Sequence, residues 1–267
     1  MAYETFLIER SGAVATVRFN RPEKLNPINE KVMQELLAIA QEFQDDETTR
    51  IIILTGQGRA FCVGADMQML AAGVDRNKPR TSDVARLRSA KTGWRIMDEW
   101  ERLDQITIAA VNGFAVGGGV SLAMACDFRI AASGARLWIP EVRLGVHYMW
   151  GSISRLINLI GMAKAKELVM TCDEVTAEEA LALGLVNHVV PPDQLSQAAL
   201  ALAAKILNKP PMAIRRTKEF FKALSVHRAG DITYADAHLG LSTFESEDMR
   251  EAVAAFREKR EGTFLDR

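Results

Sequence analysis

Apolar positions along the chain recur in two periods, and the change from one to the other divides the sequence. Thr5–Ile8 and Ala13–Phe19 alternate about a Ser11–Gly12 turn and predict a β-hairpin. From Asn26 to Phe43 the period becomes helical, with Val32, Leu36, Ile39 and Phe43 on one face and Pro27 suited to the first turn. Ile51–Thr55, Thr107–Val111 and Asp127–Ala131 are short apolar runs that predict buried strands. Ala85–Leu103 has a helical pattern, and residues 73–83, with Gly73, Asn77 and Pro79, predict a mobile loop. Thr176 and Glu179 form a capping box that opens a helix through Leu183, and Val189–Pro192 closes that unit. After this the strand signals stop. Leu195–Leu207, Ala213–Leu224, Asp231–Leu241 and Glu247–Lys259 all predict helices. The class is α/β, with a core over residues 1–194 and an all-helical region over 195–267 that suits an appendage or an assembly element.

Bulk properties remove several function classes. The 267 residues carry a formal charge of −1, which leaves no electrostatic footprint for nucleic acid or an anionic membrane. No apolar run approaches the roughly 18 residues of a spanning helix, and the N-terminus lacks the pattern of a signal peptide. Cys62, Cys126 and Cys172 are odd in number and widely spaced, which predicts free thiols in a reducing cytoplasm. His147, His188, His227 and His238 show no ligand spacing, so no metal site is expected.

Three segments carry candidate chemistry. Arg59–Met67 (RAFCVGADM) follows a strand and ends at a helix start, where free N–H groups can face an oxygen. Read alone, it is better explained as an ordinary loop into a helix with Asp66 as a cap. Ala109–Ser121 (AAVNGFAVGGGVS) places three glycines before an apolar helical stretch, Leu122–Cys126. There a ligand carbonyl can approach the backbone and meet the positive end of the helix dipole. Tight helix–strand packing wants the same glycines, and the spacing is not that of a dinucleotide-binding loop. Leu137–Gly145 (LWIPEVRLG) sets Glu141 among apolar neighbours, where a carboxyl has a raised pKa and exchanges protons near neutrality. Pairing with Arg143 at the surface is the competing reading.

Together the three segments resemble the crotonase family, the enoyl-CoA hydratase/isomerase superfamily. So do NRPEKLNP over Asn20–Pro27, TAEEALALGLVNHVV over Thr176–Val190 and EDMREAVAAFREKR over Glu247–Arg260. The resemblance implies a spiral of ββα units with a C-terminal helical trimerisation region, assembled as a homotrimer or a dimer of trimers. It implies an oxyanion hole made by the N–H groups of Ala65 and Gly118. Ala65, Asp66, Met67 and Gln68 would line the adenine side of coenzyme A, and Lys24 and Leu25 its phosphates and pantetheine. Phe256 and Lys259 match positions that reach coenzyme A, in many members from a neighbouring subunit. Coenzyme A would enter as part of the substrate, with no permanently bound cofactor, and fatty acid metabolism would be the setting. Two such N–H donors stabilise an enolate oxygen, and loss of one typically costs roughly 2.7–4 kcal/mol of barrier.

This chain departs from the hydratase pattern in two informative places. Hydratases carry a glutamate where Ser121 stands, in addition to the one matching Glu141. They also carry a small Pro-Gly-Ala-Gly-Gly run where this chain has His147-Tyr148-Met149-Trp150-Gly151-Ser152. His147, Tyr148 and Trp150 are therefore expected in the acyl pocket. A single carboxylate suits double-bond isomerisation, with Glu141 as proton shuttle. Hydration by Glu141 with a Ser121-held water is the second expectation, and a non-catalytic acyl-CoA-binding protein the third.

Overall fold

The computed structural model describes residues 3–73, 82–229, 240–241, 243–244 and 246–265. The N-terminal hairpin forms as the alternation predicts. β1 (Phe6–Ser11) and β2 (Val14–Phe19) are antiparallel, with Phe6 opposite Phe19. β2 then pairs in parallel with β3 (Ile51–Gly56), which pairs with β5 (Ile106–Val111), then β7 (Phe128–Ala132), then β10 (His188–Val190). Every residue of β3 and β5 is buried, as expected of strands covered on both faces.

A second sheet runs beside the first. β4 (Ala60–Cys62), β6 (Phe114–Val116) and β8 (Arg136–Trp138) are parallel, and β9 (Val175–Thr176) closes the edge antiparallel to β8. The chain makes one strand of each sheet per turn, β3 then β4, β5 then β6, β7 then β8, and so winds as a spiral of ββα units. Helices α1 (Glu30–Gln44), α3 (Asp83–Arg102) and α4 (Gly118–Ala125) share one core with these strands. The short helix α2 (Met67–Gly73) follows β4. The other face of the large sheet, lined by Ile51, Ile53, Ile106, Ile108 and Ile130, is covered by Leu195, Ala199 and Ala203 of α7 (Leu195–Leu207).

Among the described residues the chain also forms helices α5 (Ser152–Thr171), α6 (Ala177–Ala182), α8 (Pro211–Ala229) and α9 (Glu247–Glu258). The Thr176–Glu179 capping box is present in both directions. α9 folds back so that Met249 and Val253 pack on Val146. None of the described helices is long and apolar enough to cross a membrane. The loop expected over 73–83 and the helix expected over Asp231–Leu241 lie, save for their ends, outside the described residues, as does His238.

Two expectations need correction. The first helix does not begin at Asn26: Leu25 and Asn26 both adopt left-handed backbone (φ 63° and 58°), Ile28 bridges to Ala65, and Asn29 caps α1 by accepting from Val32 N–H at 2.9 Å. Pro27 therefore lies in an irregular link. The helix expected from Leu122 begins at Gly118, so the glycines form its first turn.

Candidate active site

Three turns meet at the start of α4, and backbone pairing sets their geometry. Ile28 N–H donates to Gly64 O at 2.7 Å, and Asp66 N–H donates to Ile28 O at 2.9 Å. This parallel bridge uses the groups on either side of Ala65, so Ala65's own N–H points to the opposite side of the strand. Gly64 has φ +74°, and a Cβ there would lie 2.5 Å from Val116 O and 3.3 Å from Gly118 N. The turn carrying Ala65 therefore sits directly against the turn carrying Gly118. Gly118 is the first residue of α4, where N–H groups lack intrahelical acceptors.

Glu141 reaches the same place from the third turn. Gly117 N–H donates to Trp138 O at 2.8 Å, which ties β8 to the start of α4. Three residues later, the Glu141 carbonyl accepts from Leu144 N–H at 3.0 Å and Val146 N–H at 2.9 Å. The side chain so held lies across Gly117, where a Cβ would collide with Glu141 Oε1. Gly117 also has φ +50°, so glycine is required twice over. Glu141 Oε2 is buried with no hydrogen-bond partner, and no Glu141–Arg143 ion pair exists among the described residues. Desolvation pushes the Glu141 carboxyl up to about 8.

Ser121 and Tyr148 are both 1% exposed and touch each other, with Ser121 Oγ 3.0 Å from Tyr148 Oη. Ser152, the first residue of α5, donates to Ser121 Oγ at 2.7 Å. Trp150 has φ +66° and lays its six-membered ring over Gly118, 2.5 Å from where a Cβ would stand. Its pyrrole edge covers Gly93 of α3. The loop is clamped by Arg155, which donates to Trp150 O at 3.0 Å and forms a two-pronged ion pair with Glu101 at 2.7 and 2.8 Å. His147 lies against Gly240, with Cε1 3.3 Å from the position a Cβ would take there.

Ala65, Gly118, Ser121, Glu141, Tyr148 and Trp150 thus converge, whereas the other expected residues spread outward. Leu25 lies beside the site through Val63 N–H, which donates to Leu25 O at 3.3 Å, and Lys24 is exposed next to it. Asp66 accepts from Gln68 N–H at 3.0 Å and stands 3.7 Å from the Arg21 guanidinium. An open cavity of about 540 Å³ lies along Asp66, Gln68, Met69 and the first turns of α1. Met67 starts α2. Phe256 stacks loosely on Trp138, with ring centroids 6.5 Å apart, and Lys259 is exposed at the end of α9.

Sequence reasoning missed four supports. Buried Asn26 donates to Gln57 O at 3.0 Å and Ala60 O at 2.8 Å while accepting from Arg21 N–H at 2.9 Å. Its left-handed position inside a turn-rich motif was the available signal. Ser152 lay within a segment already singled out, but its partner was not evident. Gly93 and the Arg155–Glu101 clamp left no local signal, because their partners are more than 50 residues away.

Two largely parallel sheets wound as a spiral, with glycine turns stacked at the start of a buried helix, define the crotonase class of α/β enzymes. Over residues 9–267 the sequence matches the family described as Enoyl-CoA hydratase/isomerase, and the chain belongs to that family. It is 36% identical to the short-chain-enoyl-CoA hydratase of Clostridium acetobutylicum, with 97% of each chain covered. It is 37% identical to the crotonyl-CoA hydratase of Syntrophomonas wolfei over the full length of both. A solved enoyl-CoA hydratase/isomerase from Mycobacterium paratuberculosis superposes with a TM-score of 0.85 at 30% identity, covering 94% of this chain and 97% of that one.

Proposed function

We propose that this enzyme binds a short acyl-CoA thioester and moves a proton between two of its carbons, shifting a double bond from the 3- to the 2-position. The observation that carries this reading is the buried carboxyl of Glu141, set beside Gly117 and Gly118 with Oε2 unpartnered. The Glu141 carboxylate removes a proton from C2, and the electron pair passes to the thioester oxygen, held by the Ala65 and Gly118 N–H groups. The same carboxyl returns the proton to C4, leaving the C2–C3 double bond. Pushed up to about 8 by burial, the Glu141 carboxyl holds and releases that proton near neutral pH. Trp150, filling the space over Gly118, favours a short acyl chain, as do the names of the two relatives.

The cavity along Asp66, Gln68 and Met69, next to Ala65, suits the nucleotide end of coenzyme A. In this reading Met67 lies by the adenine, and Lys24 and Leu25 by the phosphates and pantetheine. Phe256 and Lys259 would reach coenzyme A from a neighbouring subunit. No permanently bound cofactor is needed for this chemistry. The exposed Met212, Phe220, Phe221 and Leu224 on α8 suit burial against further copies in a homotrimer or a dimer of trimers. Free thiols, with Cys62 and Cys126 pushed up to about 12 by burial, suit a reducing cytoplasm.

Hydration of a 2-enoyl-CoA is the second reading, favoured by the names of the relatives. Against it, Ser121 is already committed to Ser152 and Tyr148, and no carboxylate bonds to it among the described residues. Adding the enzyme to 3-butenoyl-CoA and, separately, to crotonyl-CoA decides the matter. Growth of the conjugated-enoyl absorbance with the first supports isomerisation. Its loss with the second, and no change with the first, replaces that reading by hydration.

A further inference from the structure

The carbonyl of Gly117 belongs to the same peptide unit as the N–H of Gly118, and donors crowd it. Ser121 N–H lies at 3.0 Å, Ser121 Oγ at 3.2 Å and Tyr148 Oη at 3.4 Å. Behind them stands Ser152, donating to Ser121 Oγ at 2.7 Å, while Ser121 Oγ donates to Tyr148 Oη at 3.0 Å. Three hydroxyls hold three protons. Ser152's goes to Ser121, Ser121's has Tyr148 and the Gly117 oxygen as its two acceptors, and Tyr148's has the Gly117 oxygen. The result is a one-way chain that ends on one carbonyl. Each donor in such a chain is polarised by the one behind it. Ser121, Tyr148 and Ser152 are at most 1% exposed, so water does not compete. Burial and the nearby Glu141 charge hold the Tyr148 phenol protonated, as a donor must be.

A serine inside a helix often bonds back to the carbonyl four residues earlier, and that habit accounts for the Ser121–Gly117 contact alone. It does not account for Tyr148 and Ser152, which arrive from a different loop and a different helix. Burying three hydroxyls is costly unless each is satisfied, and here all are satisfied in the direction of Gly117.

We propose that Tyr148, Ser121 and Ser152 are positioning residues that polarise the Gly117–Gly118 peptide from its carbonyl end and so strengthen the Gly118 N–H as a donor. Amide resonance couples the two ends: charge drawn onto the oxygen leaves the N–H more positive. The catalytic consequence rests on the reading of Gly118 N–H as an oxyanion donor. The polarisation itself does not.

The test uses full-length protein, deuterated and labelled with 15N-glycine, as wild type, Tyr148→Phe, Ser152→Ala and the double variant. Without ligand, the Gly118 amide proton moves upfield in Tyr148→Phe and less far in Ser152→Ala. The double variant moves further upfield than either single variant, because Ser121 Oγ, backed by Ser152, still reaches the Gly117 oxygen when the phenol is gone. With substrate, kcat falls about two- to eightfold in Tyr148→Phe while KM holds, from a 10–30% weakening of one donor. An unmoved Gly118 resonance in folded Tyr148→Phe overturns the proposal, as does an unmoved one in Ser152→Ala. Failure of the acyl-CoA reading shows separately, as no turnover by wild type with the amide shifts still present.

Discussion

Replacing Glu141 with Gln separates the chemistry of this carboxyl from its cost to the fold. The folded carboxyl titrates near 8 and an exposed one near 4.5, so between those values the native state keeps a proton that the unfolded chain has lost. Stability therefore falls as pH rises from about 4.5 and levels off above about 8. Working the linkage from those two values gives a penalty of about 1 kcal/mol at pH 5, about 3 at pH 7 and about 5 at pH 9. Gln has nearly the shape of the protonated acid and never ionises, so Glu141→Gln escapes the penalty. The variant should gain on the wild type by about 4 kcal/mol between pH 5 and pH 9. It should also lose about 10²–10⁴-fold in kcat. Urea unfolding of both proteins at pH 5, 7 and 9, at one fixed protein concentration, measures the first effect. Wild-type and variant stabilities that run parallel across this range would refute the reasoning, because the carboxyl would then ionise in the folded state as it does in water. In the wild type, kcat/KM should climb as pH rises through about 8, since the base must be ionised to accept a proton.

Gly117→Ala should abolish turnover, because the added Cβ collides with Glu141 Oε1 and φ is positive there; an unchanged kcat would contradict the placement of that carboxyl. Trp150→Ala should open the space over Gly118, raising kcat/KM for longer acyl-CoAs relative to crotonyl- or butenoyl-CoA, at a stability cost of about 3 kcal/mol read by thermal unfolding. An unaltered chain-length profile would remove Trp150 from the pocket. Asn26→Ala leaves the Ala60 and Gln57 carbonyls without their donor and should cost about 2–4 kcal/mol in urea unfolding. A loss under about 0.5 kcal/mol would show that water replaces those bonds.

Long periodic segments were legible in the sequence. α7 runs over the predicted Leu195–Leu207, and the Thr176 capping box is written in its two side chains. The second sheet was not legible, because β4, β6 and β8 are three residues each and too short to show a period. α5 escaped because Gly161 breaks it with φ 77° and ψ 162°, so no single apolar stripe runs its length. α1 was started too early because Pro27 is equally at home in an irregular link, and the Ile28–Ala65 bridge that decides the matter is long-range. At the site, the glycines and Glu141 declared themselves through their neighbours in sequence. The tie from Ser121 to Tyr148 and Ser152 spans about 30 residues and is written only in three dimensions.

The turns that carry Ala65 and Gly118 are joined by main-chain atoms and by the absence of side chains at Gly64 and Gly117. Such a scaffold is indifferent to the identity of most residues around it. Positions 121, 148, 150 and 152 can therefore be randomised together in a selection experiment while the two peptide groups stay where they are. A lineage or a library starting from this chain has room to exchange one carbonyl chemistry for another in a few substitutions, because the part common to all of them is inherited as backbone.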